Sequence, residues 1–342
     1  MPSLILHIGT AKTGTTSIQH FLCENRQALA ARGFFVPSFL GVGPNHRWLP
    51  LLAQDELTVD GFTSRQGLDI SPERLREGRA AMRMELHQAA ATTGEATWII
   101  SSEQLQSRLT TVDLLRLRRL LEPLFAEIRV LVYLRQPLPT AISAWSTRTR
   151  SGRVSPSLPS PQSCESLCDH AATLRRWQRV FGRSQLMVRL FHPSPLRGGS
   201  LLEDFSACTG IGDLSGLALP SHANPSLSFQ AIKVLWQLQQ RLGDAPSWRW
   251  RELVGFVERS LRSFPVYLPT GQERDSFAAH YAASERWVCQ EFFPERAHLW
   301  DHSALPVRQE SDLRFQSSLS DEESALVALL ADLWCDRCAS RA

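Results

Sequence analysis

Lysine is nearly missing from this chain of 342 residues: it occurs at Lys12 and Lys233, so 35 of the 37 basic residues are arginine. Long apolar runs are missing too. No stretch approaches the roughly 18–20 uninterrupted residues of a membrane span, which excludes a helical membrane anchor. Charge of one sign is not in excess. A formal net charge of +3, with arginine dispersed rather than blocked into a tail, excludes an electrostatic case for nucleic acid as a partner. No internal repeat is present. The seven cysteines are odd in number and scattered, which excludes a paired disulfide framework. Cys335 and Cys338 have metal-like spacing but no second Cys or His pair beside them, so they read as reduced structural thiols. The first residues read as a strand rather than a leader peptide, and the expectation is a soluble cytoplasmic protein.

Against that background one of the two lysines stands in a conspicuous place. Residues 5–19 read Ile-Leu-His-Ile-Gly-Thr-Ala-Lys-Thr-Gly-Thr-Thr-Ser-Ile-Gln, an apolar run, a glycine-bracketed loop and the start of an amphipathic helix. Strand, inward-turned amides and a helix N-terminus with its partial positive charge together make an anion cradle. The frame Gly9-x-x-x-x-Gly14-x-Thr16 has phosphate-loop spacing, but the lysine is displaced. A nucleoside-triphosphate loop puts Lys directly after the second glycine; here Thr15 holds that position and the lysine is Lys12. Lysine is a compact point charge where arginine is a planar fork, so a site that sets one ammonium against one oxygen calls for lysine.

The remaining pattern predicts the architecture. Strands are expected over 3–9, 34–36, 97–100, 128–134 and 186–191, and helices over 15–32, 71–91, 111–124, 138–149 and 165–180. Ser71 and Pro72 read as the cap and first residue of the long helix to 91. Residues 37–70 and 151–163 read as loops, the second mobile. From about 196 onward only helices are expected, including a strongly patterned one over 226–242. Strands alternating with helices imply an α/β fold, P-loop-like and three-layered, with a central parallel sheet flanked by helices and a helical C-terminal extension. The expected division is residues 1–210 as the core and 211–342 as a helical part of the same domain, shaping an acceptor cleft. Ligands bind such sheets at the carboxyl ends of the strands. The loop after Gly9, residues 101–103, Arg135 and the end of the strand near Phe191 should therefore share one edge.

Arg135-Gln136-Pro137 through Ser143 forms a second informative stretch. Arg135 leaves a buried strand, Pro137 pre-sets a helix, and Ser143 follows one to two turns inside it. A guanidinium and a hydroxyl converging in this way suit a second phosphate. A helix-capping arginine and an interior serine bonded to its own backbone are the plainer alternative.

Together these residues resemble the sulfotransferases that use 3′-phosphoadenosine 5′-phosphosulfate (PAPS). The resemblance covers residues 3–210 and implies that Lys12, Thr13, Gly14, Thr15 and Thr16 hold the 5′-phosphosulfate. It implies in the same way that Arg135, with Pro137 beside it, and Ser143 hold the 3′-phosphate. The run Leu6-His7-Ile8-Gly9 followed by residues 12–19 looks most like bacterial, carbohydrate-type members, as does Ser101-Ser102-Glu103-Gln104-Leu105. A sugar hydroxyl is thus the implied acceptor, with 3′,5′-adenosine bisphosphate (PAP) as product. The basic Arg-Lys-Gly segment of cytosolic small-molecule members is not found here.

Sulfuryl transfer is mainly a positioning and electrostatic problem, as phosphoryl transfer is. Lys12 is placed to neutralise the bridging oxygen as it leaves, with no metal required. The acceptor hydroxyl needs a general base. Glu103, just past a strand end, is favoured over a role as a helix first-turn glutamate. His46, in the irregular segment, is second, and His7, inside the first strand, reads as a core histidine. Trp48, Trp98 and Trp145 are candidate stacking surfaces or simply core. Two other functions compete: a P-loop kinase of small molecules, which needs Lys after the second glycine and a magnesium ligand, and a non-catalytic nucleotide- or glycan-binding relative.

Overall fold

In the computed structural model of the chain, the residues described are all except 42, 55–71, 193–195, 221–225, 244–246, 310, 313–318, 321–322, 325, 329, 332–333 and 335–342. Expectations for the Ser71 cap, residues 42 and 55–70 of the 37–70 segment, and Cys335 and Cys338 lie outside the described residues. The chain divides into two compact units, one made of 1–135 with 170–223, the other of 136–169 with 224–342.

The first unit is built on a five-stranded, all-parallel sheet. Its strands are β1 (Ser3–His7), β2 (Phe34–Phe35), β3 (Thr97–Ser101), β4 (Glu127–Leu134) and β5 (Leu186–Leu190), in the order β2-β3-β1-β4-β5. This is the expected α/β class. Each strand is short, apolar on both sides and followed by a helix, so neither face needs to meet water. On one face Ile5, Ile99, Leu131 and Tyr133 pack with Ile18 and Phe21 of α1 (Thr15–Glu24) and Phe205 of a later helix. The alternate residues Leu4, Leu6, Trp98, Ile100, Val130 and Val132 are fully buried on the other. From β1 the chain runs out to the edge strand β2, returns to β3 beside β1, and then crosses to β4 and β5 on the other side. That reversal leaves a crevice at the carboxyl end of β1.

The helix expected over 15–32 is two helices, α1 and α2 (Arg26–Ala31), because Asn25 intervenes. Its buried side-chain amide donates to the carbonyls of Phe21 (2.8 Å) and Ala218 (2.8 Å), and its Oδ1 accepts the Ala218 N–H. A short polar side chain that bonds backbone competes with helix propagation. A further helix, α3 (Trp48–Ala53), lies inside the segment read as loop, and α4 (Pro72–Thr92) follows the undescribed residues. Two helices come after β3, α5 (Gln104–Arg108) and α6 (Thr111–Leu121), the second held by a Thr110–Asp113 capping box.

The second unit opens with α7 (Pro137–Arg150), Pro137 at its first turn. The helix expected over 165–180 breaks at Asp169 (φ −76°, ψ 85°), giving α8 (Glu165–Cys168) and α9 (His170–Phe181). The units divide at this break. After α10 (Leu201–Thr209) of the first unit come α11 (Phe229–Leu242), α12 (Ser247–Ser260) and α13 (Gly271–Phe292) of the second. Two isolated bridges, Ser228 with Val266 and Thr270 with Arg308, are the only strand-like pairings described there. Trp145, Phe229, Leu235, Trp250 and Tyr267 centre its core. The 151–163 stretch is pinned rather than loose: Val154 and Leu158 pack on that core, and Trp145 Nε1 donates to the Ser155 carbonyl at 3.0 Å. Among the described residues no helix is long and apolar enough to cross a membrane.

Candidate functional site

The parallel register carries the ends of β1, β3 and β4 to one edge: His7 sits level with Ser101 and Leu131, and the Ile8 N–H donates to Leu131 O at 3.0 Å. The loop over residues 8–14 turns through three left-handed positions, Gly9 (φ +47°), Lys12 (φ +70°) and Gly14 (φ +75°). Glycine takes such angles without strain. Lys12 is the one non-glycine residue at positive φ among those described, which costs about 1–2 kcal/mol unless the surroundings hold it.

They do hold it. Arg135 Nη1 donates to the Lys12 carbonyl at 2.9 Å, a charge-assisted bond of about 1.5–3 kcal/mol, enough to offset the strain. Thr10 Oγ1 donates to Tyr133 O at 2.6 Å, and Thr13 Oγ1 to Thr10 O at 2.7 Å, both buried. The Thr13 hydroxyl proton is thus spent inside the loop, and what Thr13 offers an anion is its amide. Gly14 caps α1 with no side-chain bond, and the first turn carries no acidic residue. The helix start therefore presents backbone N–H groups and partial positive charge. Thr15 is buried and Thr16 exposed. A Cβ at Gly9 would stand 2.4 Å from Thr15 Cγ2, so the loop closes tightly on its own helix.

Arg135 is fixed from several sides. Its guanidinium lies 5.6 Å from the centre of the Phe191 ring, beyond β5, and His170 Nε2 donates to its carbonyl at 2.8 Å. Desolvation lowers the Arg135 pKa from its ordinary value. Ser143 is half-buried in the second turn of α7 and belongs to the second unit; its carbonyl accepts the Thr147 hydroxyl at 3.1 Å.

Glu103 follows β3, and its Oε2 accepts two amides: Gln19 Nε2 at 2.9 Å and Asn45 Nδ2 at 3.0 Å. Its backbone adjoins Gly9, 3.6 Å from a Cβ built there. The carboxylate thus sits between the end of β3 and the helix that the loop opens.

His46 is elsewhere from where its sequence context suggested. It is 1% exposed. Its Nε2 donates to Pro37 O at 2.9 Å, and its Nδ1 accepts the Ser101 N–H at 2.9 Å. Both nitrogens are engaged, and burial lowers its pKa to about 4. The ring stitches the 37–46 segment to β3. His7 is also buried, with Nδ1 2.8 Å from Ser101 Oγ, and desolvation lowers it to about 3. Trp98 is core, packed on Phe35, Phe39 and Phe125, and Trp145 is core in the second unit; Trp48 is half-buried at the start of α3.

Several residues escaped the sequence reading. Asn45 carries no motif, and Gln19, although it ends the run that carries the resemblance, has no role assigned by it; only the 3.6-residue spacing from the loop hints that Gln19 turns inward. Asp204 of α10 is fully buried, accepting Tyr133 Oη at 2.8 Å and Arg189 Nε at 3.1 Å. It ties α10 to β4 and β5 behind the strand ends. Burial, then the Asp204 charge, raises the Tyr133 pKa.

The first unit is thus a parallel α/β fold with a tight glycine-bracketed loop after its first strand and an arginine at the end of its fourth. No family model matches the chain. A protein of Archaeoglobus fulgidus, described only as uncharacterized, is 24% identical over 127 residues, which is 36% of this chain and 35% of that relative's length. The chain therefore spans about a third of the curated relative it matches. Among solved structures, a sulfotransferase from Alicyclobacillus acidocaldarius aligns over 78% of this chain and 97% of its own, with a TM-score of 0.39 and 15% identity.

Proposed function

We propose that this chain is a sulfotransferase that takes the sulfuryl group of PAPS and delivers it to an acceptor hydroxyl on a carbohydrate. One observation carries the reading: the guanidinium of the second motif is bonded to the backbone of the first, Arg135 Nη1 to Lys12 O at 2.9 Å. Two stretches that lie 123 residues apart in sequence meet at one sheet edge, as a ligand with two separated phosphates requires. The carbohydrate acceptor rests on the resemblance of residues 6–19 and 101–105 alone.

In this reading the backbone amides of residues 13–16 and the hydroxyls of Thr15 and Thr16 hold the 5′-phosphosulfate against the helix start. The Lys12 ammonium meets the bridging oxygen, where negative charge grows as the S–O bond to the phosphate breaks. Arg135 serves the 3′-phosphate, the role that the resemblance also gives to Ser143. The acceptor oxygen forms the new bond to sulfur in line and loses its proton to Glu103, while PAP departs with the bridging oxygen. Glu103 is preferred to His46 as base because its carboxylate is bonded to the helix that the loop opens, whereas both imidazole nitrogens of His46 are already bonded to backbone. The transfer requires no metal. Five described cysteines are unpaired, which suits a reducing cytoplasm.

The test is sulfate transfer from labelled PAPS to a panel of sugars, glycans, lipids and phenols. Wild-type protein should label an acceptor, and Lys12→Ala should lower turnover by about 10²–10³, the usual cost of removing one preorganised stabiliser of a growing charge. Equal labelling by both proteins would overturn the assignment.

A further inference from the structure

Arg135 has more to do than meet a phosphate. Lys12 sits in a left-handed conformation that its side chain disfavours, and its carbonyl is turned toward a half-buried guanidinium. That guanidinium lies 5.6 Å from the centre of the Phe191 ring, and the Arg135 main chain is held where His170 Nε2 donates to its carbonyl at 2.8 Å. One fork with five donors can bond the loop through one N–H and still present others to an anion. We propose that Arg135 is a positioning residue for Lys12: by holding the Lys12 peptide in its left-handed turn, it sets the ammonium against the 5′-phosphosulfate, and so couples the two ends of the nucleotide site. This rests on the nucleotide-site reading above and assigns Arg135 a role at the end of the ligand that it does not touch.

The two roles separate with a ligand that lacks the 3′-phosphate. An arginine that serves that phosphate alone leaves adenosine 5′-monophosphate binding untouched when it is removed. An arginine that also holds the loop does not. Calorimetric titration of wild type, Arg135→Ala and Arg135→Lys with adenosine 5′-monophosphate and with 3′,5′-adenosine bisphosphate makes the comparison. The expected result for Arg135→Ala is a loss of about tenfold for the monophosphate, the scale of one charge-assisted hydrogen bond, and a larger loss for the bisphosphate. Arg135→Lys, which keeps a cation but not the fork, should keep part of the bisphosphate affinity and lose as much for the monophosphate. An unchanged monophosphate affinity in both variants would overturn the proposal.

A second readout needs no ligand. In the free protein, the Lys12 N–H to Hα coupling and Cα shift should report a left-handed residue in wild type and leave that range in both variants, with amide signals elsewhere in β1 and α1 retained. A left-handed Lys12 in both variants would also overturn the proposal. Should neither nucleotide bind wild type, the functional reading fails, while the Lys12 coupling still decides whether Arg135 holds the loop.

Discussion

Gln19 Nε2 lies 2.9 Å from Glu103 Oε2, so the helix that follows the Gly9–Gly14 loop and the end of the third strand meet on one carboxylate. Asn45 Nδ2, at 3.0 Å, completes the grip on the same oxygen. Two neutral amides orient the group without neutralising its charge, which suits a base that must take a proton from a hydroxyl. Glu103→Gln keeps the shape and removes the basicity. Turnover should fall by about 10²–10⁴ while PAP affinity stays within a factor of two or so. His46→Gln should leave turnover near wild type. Steady-state rates and calorimetry on the two variants decide it, and the reverse pattern would transfer the role to His46.

Gly14 combines a positive φ with a close approach. At φ +75° any side chain is strained, and a Cβ there would stand 2.3 Å from Leu201 Cδ2. Gly14→Ala should cost about 1–3 kcal/mol in urea unfolding and weaken PAP binding. Adding Leu201→Ala relieves the overlap but not the backbone strain, so nucleotide affinity should recover only in part. Full recovery would show that crowding, not the left-handed turn, is what Gly14 answers.

The Asp204 carboxylate is fully buried and depends on Arg189 and Tyr133. Arg189→Leu strands it and should destabilise the fold by about 3 kcal/mol, whereas Tyr133→Phe should cost about 1 kcal/mol. Chemical denaturation measures both. An Arg189→Leu effect below that of Tyr133→Phe would mean that the pair contributes little.

The strands and the loop were readable because each is a local pattern: an apolar run, two glycines and a threonine pair need no knowledge of the rest of the chain. The breaks at Asn25 and Asp169 were not, since each depends on partners far along the chain, Ala218 for one and Ser284 for the other. The same holds at the site. Lys12 and Arg135 stand out by composition and by their place at strand ends, but their contact spans 123 residues. His46 looked available because its segment is irregular, and burial against β3 is a tertiary fact. Thr13 reads as one more hydroxyl for an anion until its bond to Thr10 O is seen.

Burial of two neutral histidines sets an acid limit on the fold. The unfolded His46 and His7 take up a proton near the ordinary value of 6.5, whereas their folded pKa values are about 4 and about 3. Between those values the unfolded chain binds more protons. Their contribution is therefore fully present above about pH 6.5 and is lost as pH falls toward the folded values. For His46 alone the loss approaches about 3 kcal/mol. Urea midpoints should decline steadily from pH 7 to pH 4.5, and the decline should be shallower in His46→Gln. A midpoint that is flat across this range would contradict the buried neutral state.

The most direct measurement is a thermal-shift titration with 3′,5′-adenosine bisphosphate in the presence of a chelator. A ligand at a hundredfold its dissociation constant adds about 2.7 kcal/mol to the folded state. For a chain of this size that is a rise of several degrees. The account predicts this rise without magnesium, and its loss in Lys12→Ala combined with Arg135→Ala. No rise with the bisphosphate, together with a rise that appears only with magnesium and ATP, would contradict it and make the loop that of a kinase.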